Sequence, residues 1–158
     1  VLLGAAISIV LLLRQAARPR VVELARVPGT EYFADRVRHP ENEQVSGVLV
    51  IRCEAALLYF NVEFVRERVL EMLSERQHPV RLIVFFLGLV PKVDLAGAEL
   101  LADLHRTLQA RGIEFRLAES HGEVRDALRR IEFERDYGTL ETGQTVDVVI
   151  SQWQEKKI

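Results

Sequence analysis

Two kinds of hydrophobic pattern alternate along the chain. "GVLVIRC" (47–53) and "VRLIVFFLGLV" (80–90) are almost unbroken apolar runs, which suits strands buried on both faces of a sheet. "IEFRLAES" (113–120) alternates with period two and reads as a third strand. Between the runs, apolar residues recur every three or four positions. A helix from Val62 to about Gln77 would bury Val62, Val65, Val69 and Leu73, and one starting at Leu95 would bury Gly97, Leu101, Leu104 and Leu108, with Gly112 as its stop. A third, after Ser120, would bury Val124, Ala127, Leu128 and Ile131. Near the end, Val146, Val149, Ile150 and Trp153 have helical spacing, although "TVDVVI" also alternates and leaves a strand open.

Upstream, "VVELARV" (21–27) reads as a short strand, "PGT" as a turn, and the polar, proline-interrupted segment from Glu31 to Ser46 as a surface loop. Three strand-helix alternations predict an α/β domain: a mixed, mostly parallel sheet with right-handed crossovers and helices packed on it. The first strand is expected to pair antiparallel at an edge.

The junctions carry helix-start signals. Asn61 is a candidate N-cap, with Phe60 and Val65 able to form a hydrophobic staple and Glu63 in the first turn. Ser120 and Glu123 have capping-box spacing. "PKVDLAGAELL" (91–101) sets Asp94 and Gly97 at a strand-to-helix junction, the place where α/β sheets bind ligands, so Asp94 is either a cap for the N–H of Ala96 or Gly97 or part of a ligand or partner loop.

The first thirteen residues, "VLLGAAISIVLLL", carry no charge and run into "RQAARPR". A helix there would cover roughly 20 Å, about two-thirds of a hydrocarbon core. Arginines after the apolar core, rather than before it, argue against a signal peptide and mark a cytoplasmic flank. Residues 1–18 are therefore expected to be the end of a truncated transmembrane helix, with a cytoplasmic domain over 19–158. A buried N-terminal helix is the alternative, opposed by the absence of any polar stripe.

Composition narrows the function. With 158 residues, 49% apolar and 28% charged, the chain suits one compact domain. A net charge of -2 and no basic stretch interleaved with aromatics set nucleic acid aside as a partner. The single Cys53 excludes a disulfide framework and fits a small buried hydrophobe in a reducing compartment. No phosphate-loop, dinucleotide, hydrolase or C-x-x-C motif occurs, so no cofactor is expected. His39, His78, His105 and His121 lack metal spacing and read as solvated surface residues. Asp103 and His105, two apart on a helix, point to different faces and make no acid/base pair. No catalytic constellation emerges.

The order of elements, with "GVLVIRCEAALLYFNVEFVRERV" followed by "VDLAGAELLADLHRTLQARGIEFRLAESHGEVRDAL", resembles the STAS domain at the C-terminus of SulP-type anion transporters, over roughly Val21 to Trp153. The resemblance implies a non-catalytic, cytoplasmic regulatory and assembly module of a sulfate or bicarbonate permease. It would lie at the inner face of the cell membrane, with the membrane domain of the same transporter and a second copy as partners. STAS domains also include soluble anti-sigma-factor antagonists, switched by a phosphorylated serine in a D-[ST]-S-G-like loop. The matching positions are Asp94, Leu95, Ala96 and Gly97, and Ala96 has no hydroxyl to carry a phosphate. An acidic residue often ends the preceding strand in the family, and here Phe86 stands there, which points to an apolar contact rather than a polar ligand pocket. The candidate contact residues for a regulatory protein or a nucleotide are Asp94, Leu95, Ala96, Gly97 and Asn61.

Overall fold

The computed structural model describes residues 2–156. Its elements are α1 (Leu2–Ala17), β1 (Val21–Arg26), β2 (Phe33–Asp35), β3 (Val48–Cys53), α2 (Val62–Ser74), β4 (Leu82–Phe86), α3 (Leu95–Ala110), β5 (Glu114–Ala118), α4 (Gly122–Arg130), α5 (Glu134–Tyr137) and α6 (Val146–Glu155). The five strands form one sheet in the order β2-β1-β3-β4-β5. The pairs β3/β4 and β4/β5 are parallel, while β1 runs antiparallel to both β2 and β3. The mixed α/β sheet with helices packed on it, expected from the sequence, is present, but its parallel and antiparallel pairs are equal, two of each, rather than mostly parallel.

The two faces of the sheet are covered unequally. On one face, Leu49, Ile51, Ile83, Phe85, Phe115 and Leu117 meet Val65, Val69 and Met72 of α2, Leu101, Leu104 and Leu108 of α3, and Val124 and Leu128 of α4. Most of these side chains are fully buried, each worth about 1.5–3 kcal/mol relative to exposure. On the other face, Val48, Val50, Leu82 and Val84 are covered by Val146, Val149, Ile150 and Trp153 of α6. The last segment is thus a helix. Its Thr145 hydroxyl accepts the Val148 N–H at 3.3 Å as an N-cap, which the alternation of "TVDVVI" did not reveal.

The edge of the sheet differs from expectation. Strand β1 is internal, and the edge is β2, within a segment that reads as loop. Pairing of Leu24 with Asp35 and of Arg26 with Phe33 sets its register. Asp35 is buried and bonded to the Arg20 guanidinium. A strand of three residues is too short for periodicity to show.

Helix α2 stops at Ser74 rather than Gln77. Beyond it, Arg76 turns back to bond Glu23 at 2.6 Å. The capping box at Ser120 does not form. Glu119 has φ of 52° and redirects the chain, Ser120 is buried, and α4 begins at Gly122 with His121 in the cap position. There the His121 Nε2 lies 2.9 Å from the Gly88 carbonyl.

Helix α1 buries no residue, and Ile7, Ile9, Val10 and Leu11 to Leu13 are all exposed. No helix among the described residues is long and apolar enough to cross a membrane by itself. Pro19, two residues past the end of this helix, is buried at the entry to β1.

Candidate functional site

The loops that follow β3 and β4 lie side by side beyond the carboxyl ends of the parallel strands. Leu57 and Val93 form a parallel bridge. Leu57 donates its N–H to the Lys92 carbonyl at 3.0 Å, and its carbonyl accepts the Asp94 N–H at 3.1 Å. Asp94 adds two side-chain bonds. Oδ1 accepts the Gly97 N–H at 2.9 Å, as a cap of α3, and Oδ2 accepts the Tyr59 N–H at 2.9 Å. Both carboxylate oxygens are thereby committed to backbone donors, so Asp94 is a brace between two loops rather than a base.

Gly97 completes the brace. A Cβ at this position would lie 2.3 Å from the Leu57 carbonyl oxygen and 2.8 Å from its Cβ. Only glycine lets α3 approach so closely.

Asn61 works differently from the cap the sequence suggests. Its Oδ1 accepts the Leu58 N–H at 3.0 Å, and its Nδ2 donates to the Ala56 carbonyl at 3.0 Å and the Ala16 carbonyl at 3.4 Å. No side-chain bond reaches α2, because the Asn61 acceptor is already turned back on its own loop. Asn61 and Asp94 do not touch each other; they hold neighbouring parts of the segment 56–61. Leu95 is exposed, Ala96 is half-buried without a polar atom, and Tyr59, Phe60 and Leu95 leave apolar surface beside the brace.

The other candidate groups are structural. Cys53 is fully buried, and burial pushes its thiol up to about 11, so it is a poor nucleophile. Asp103 pairs with Arg66 at 2.9 Å. His105, expected at the surface, is buried among Phe115, Phe133 and Tyr137, with Nε2 at 3.3 Å from the Asp136 carbonyl. The aromatic residues that enclose it come from β5 and the α4–α5 region, remote in sequence, so helix periodicity alone could not place it. Among the described residues no group of three or more His, Cys, Asp or Glu could hold a metal.

The sequence and the architecture match known proteins. The model of the STAS domain family matches residues 39–148. The chain belongs to the STAS domain family. The STAS domain is 31% identical to Sulfate transporter 1.3 of Arabidopsis thaliana over 74% of this chain and 19% of that protein. It is also 31% identical to Low affinity sulfate transporter 3 of Stylosanthes hamata, over 95% of this chain and 26% of that protein. The chain thus spans only about a fifth to a quarter of the length of these relatives. In fold it resembles part of the murine solute carrier 26 family member A9 anion transporter in the inward-facing state, with TM-score 0.79 and 21% identity over 96% of this chain and 25% of that one.

A second feature of this STAS domain lies on the sheet face that α6 leaves open. A cavity of about 660 Å³ is lined by Leu24, Phe33, Phe86 and Val146, with Tyr32 at an exposed position and Arg52, Glu119 and Thr145 as polar members. Phe86 does make an apolar wall, as the sequence suggests, yet it does not exclude a ligand-sized space. Its ring folds over the backbone of Gly88, where a Cβ would meet the ring at 2.3 Å. Arg52 and Phe86 are register partners, as are Phe86 and Ala118, which brings Arg52, Phe86 and the residue after Ala118 to one end of the sheet. Arg52 has period-two spacing with Val48 and Val50, a signal for its face. Glu119 is set by a backbone turn that period-two spacing does not predict.

Proposed function

We propose that this STAS domain is the cytoplasmic, non-catalytic regulatory and dimerising domain at the C-terminus of a SulP-type anion transporter, with sulfate or bicarbonate as the cargo class. Residues 1–18 are then the end of its last membrane span. The observation that carries the reading is α1: sixteen residues with no buried side chain, joined to the first strand by only Arg18, Pro19 and Arg20. A helix apolar on every side and unused by the domain's own core needs another apolar environment. The sulfate-transporter relative that aligns over 95% of the chain supports the same placement.

In this reading the membrane domain of the same polypeptide lies beyond α1, and the exposed Tyr59, Phe60 and Leu95 face the membrane or the neighbouring subunit. Aromatic residues suit that interface. The transported anion contacts the membrane spans, not this domain, and Ala96 leaves the domain without a phosphorylatable serine in the braced loop.

The test uses the complete transporter. Sulfate and bicarbonate uptake into proteoliposomes is measured for the wild type and for a Tyr59→Ser, Leu95→Ser variant, together with crosslinking of the dimer. The expected result is reduced uptake or dimerisation with an unchanged melting temperature of the domain. A native polypeptide without further hydrophobic spans ahead of Val1, or a variant with wild-type uptake and dimerisation, overturns the proposal.

A further inference from the structure

We propose that the open-face cavity is a binding site for a small organic amine with an apolar or aromatic body, held through Glu119. The proposal goes beyond the transporter reading and does not depend on it.

Four observations converge. The cavity, about 660 Å³, is of the size that small-molecule sites occupy, and it sets the apolar Leu24, Phe33, Phe86 and Val146 beside Arg52, Glu119 and Thr145. It lies toward the carboxyl ends of β3 and β4 and just past the end of β5, the usual ligand position in α/β sheets. Glu119 enters the lining from a backbone with φ of 52°. Such a conformation is uncommon outside glycine, asparagine and aspartate and clusters at functional sites. Its N–H is bonded to the Gln144 carbonyl at 2.8 Å, which fixes the turn. Among the described residues its carboxylate has neither an ion pair nor a side-chain hydrogen bond, although the residue is half-buried.

Charge selects the ligand. Arg52 is the single cation of the lining among the described residues, and its guanidinium is already bonded to Glu54. Glu119 and the exposed Glu31 are its two anions. A carboxylate or phosphate would meet Glu119 without a free cation to answer it. An ammonium group would gain a charge-assisted bond to Glu119, with its apolar body against Leu24 and Val146. The Phe33 ring already carries the Arg26 guanidinium 5.0 Å from its centroid, which leaves the faces of Tyr32 and Phe86 for a neighbouring cation.

The experiment is NMR titration of the full chain in nanodiscs of neutral phospholipid, with empty nanodiscs as the partition control. The probes are 2-phenylethylamine, 2-phenylethanol and phenylacetate, which share a ring and differ in charge. The expected result is saturable binding of 2-phenylethylamine with shifts at Phe86, Glu119 and Val146. At least tenfold weaker binding is expected for the alcohol and the acid, and for the amine with Glu119→Gln. Tyr32→Ala, at the exposed wall, is expected to weaken the amine several-fold with an unchanged melting temperature. Absence of saturable binding by the amine overturns the proposal, as does equal binding of phenylacetate or unchanged affinity in Glu119→Gln.

Discussion

Replacing Gly97 with alanine sets two effects of opposite sign against each other. Alanine is the better helix former, by up to about 1 kcal/mol relative to glycine, so propensity alone predicts stabilisation. The structure predicts the reverse. The new methyl carbon would lie 2.3 Å from the Leu57 carbonyl oxygen and 2.8 Å from the Leu57 Cβ. A backbone oxygen that itself accepts the Asp94 N–H cannot swing aside as a side-chain tip can. Overpacking of this kind costs about 1–3 kcal/mol, and a backbone clash belongs at the upper end. The net expectation is a loss of about 2 kcal/mol after the propensity gain, equivalent to a fall of about 4–8 °C in Tm for a domain of this size. Urea unfolding followed by circular dichroism gives the free energy, and hydrogen exchange of the Leu57 and Asp94 amides reports whether the loops have parted. An unchanged or raised urea midpoint would show that α3 does not sit as close to Leu57 as described.

Asp94→Ala should also cost about 2 kcal/mol, since it removes a helix cap worth about 1 and a second backbone bond of similar size. Differential scanning calorimetry checks this, and a loss under 0.5 kcal/mol would mean that the bond to the Tyr59 N–H contributes nothing. Alkaline pH should weaken the fold. Burial raises the Cys53 thiol to about 11 and also raises the Tyr137 hydroxyl, while in the unfolded chain the thiol ionises near its ordinary 9.0. The unfolded state therefore releases the thiol proton first, so this contribution is fully present below about pH 9 and lost as pH rises toward 11. Urea midpoints measured between pH 7 and 10.5 should decline above pH 9, and less steeply in Cys53→Ala; parallel curves would contradict the assignment to Cys53.

The sequence made the covered parts of the fold legible and obscured the exceptions, for identifiable reasons. Val65, Val69, Leu101, Leu104, Leu108, Val124 and Leu128 all face the core as their spacing requires, because a helix packed on a sheet must bury one stripe. Asp94 is legible as a cap and Gly97 as a buried helix position, but the bond from Asp94 to Tyr59 joins residues 35 apart, and local patterns carry no trace of it. Asn61 has the right chemistry for a cap and a different use, since a nearer backbone donor, Leu58, takes its oxygen. His105 reads as a surface residue from its own helix because the rings around it come from other elements. The open-face cavity was hidden for the same reason: Leu24, Phe33, Arg52, Phe86 and Glu119 belong to four strands and a turn, and only the sheet order brings them together.

Gly88 has a reach beyond its own loop. It is absent from the lining of the cavity, yet the Phe86 ring rests where its side chain would be. Any residue larger than glycine there must displace that ring, and with it one wall of the space beside Arg52 and Glu119. The dimensions of the cavity are thus under the control of a residue outside it, so related chains could change which molecules fit by altering a single neighbouring position while leaving every contacting side chain the same.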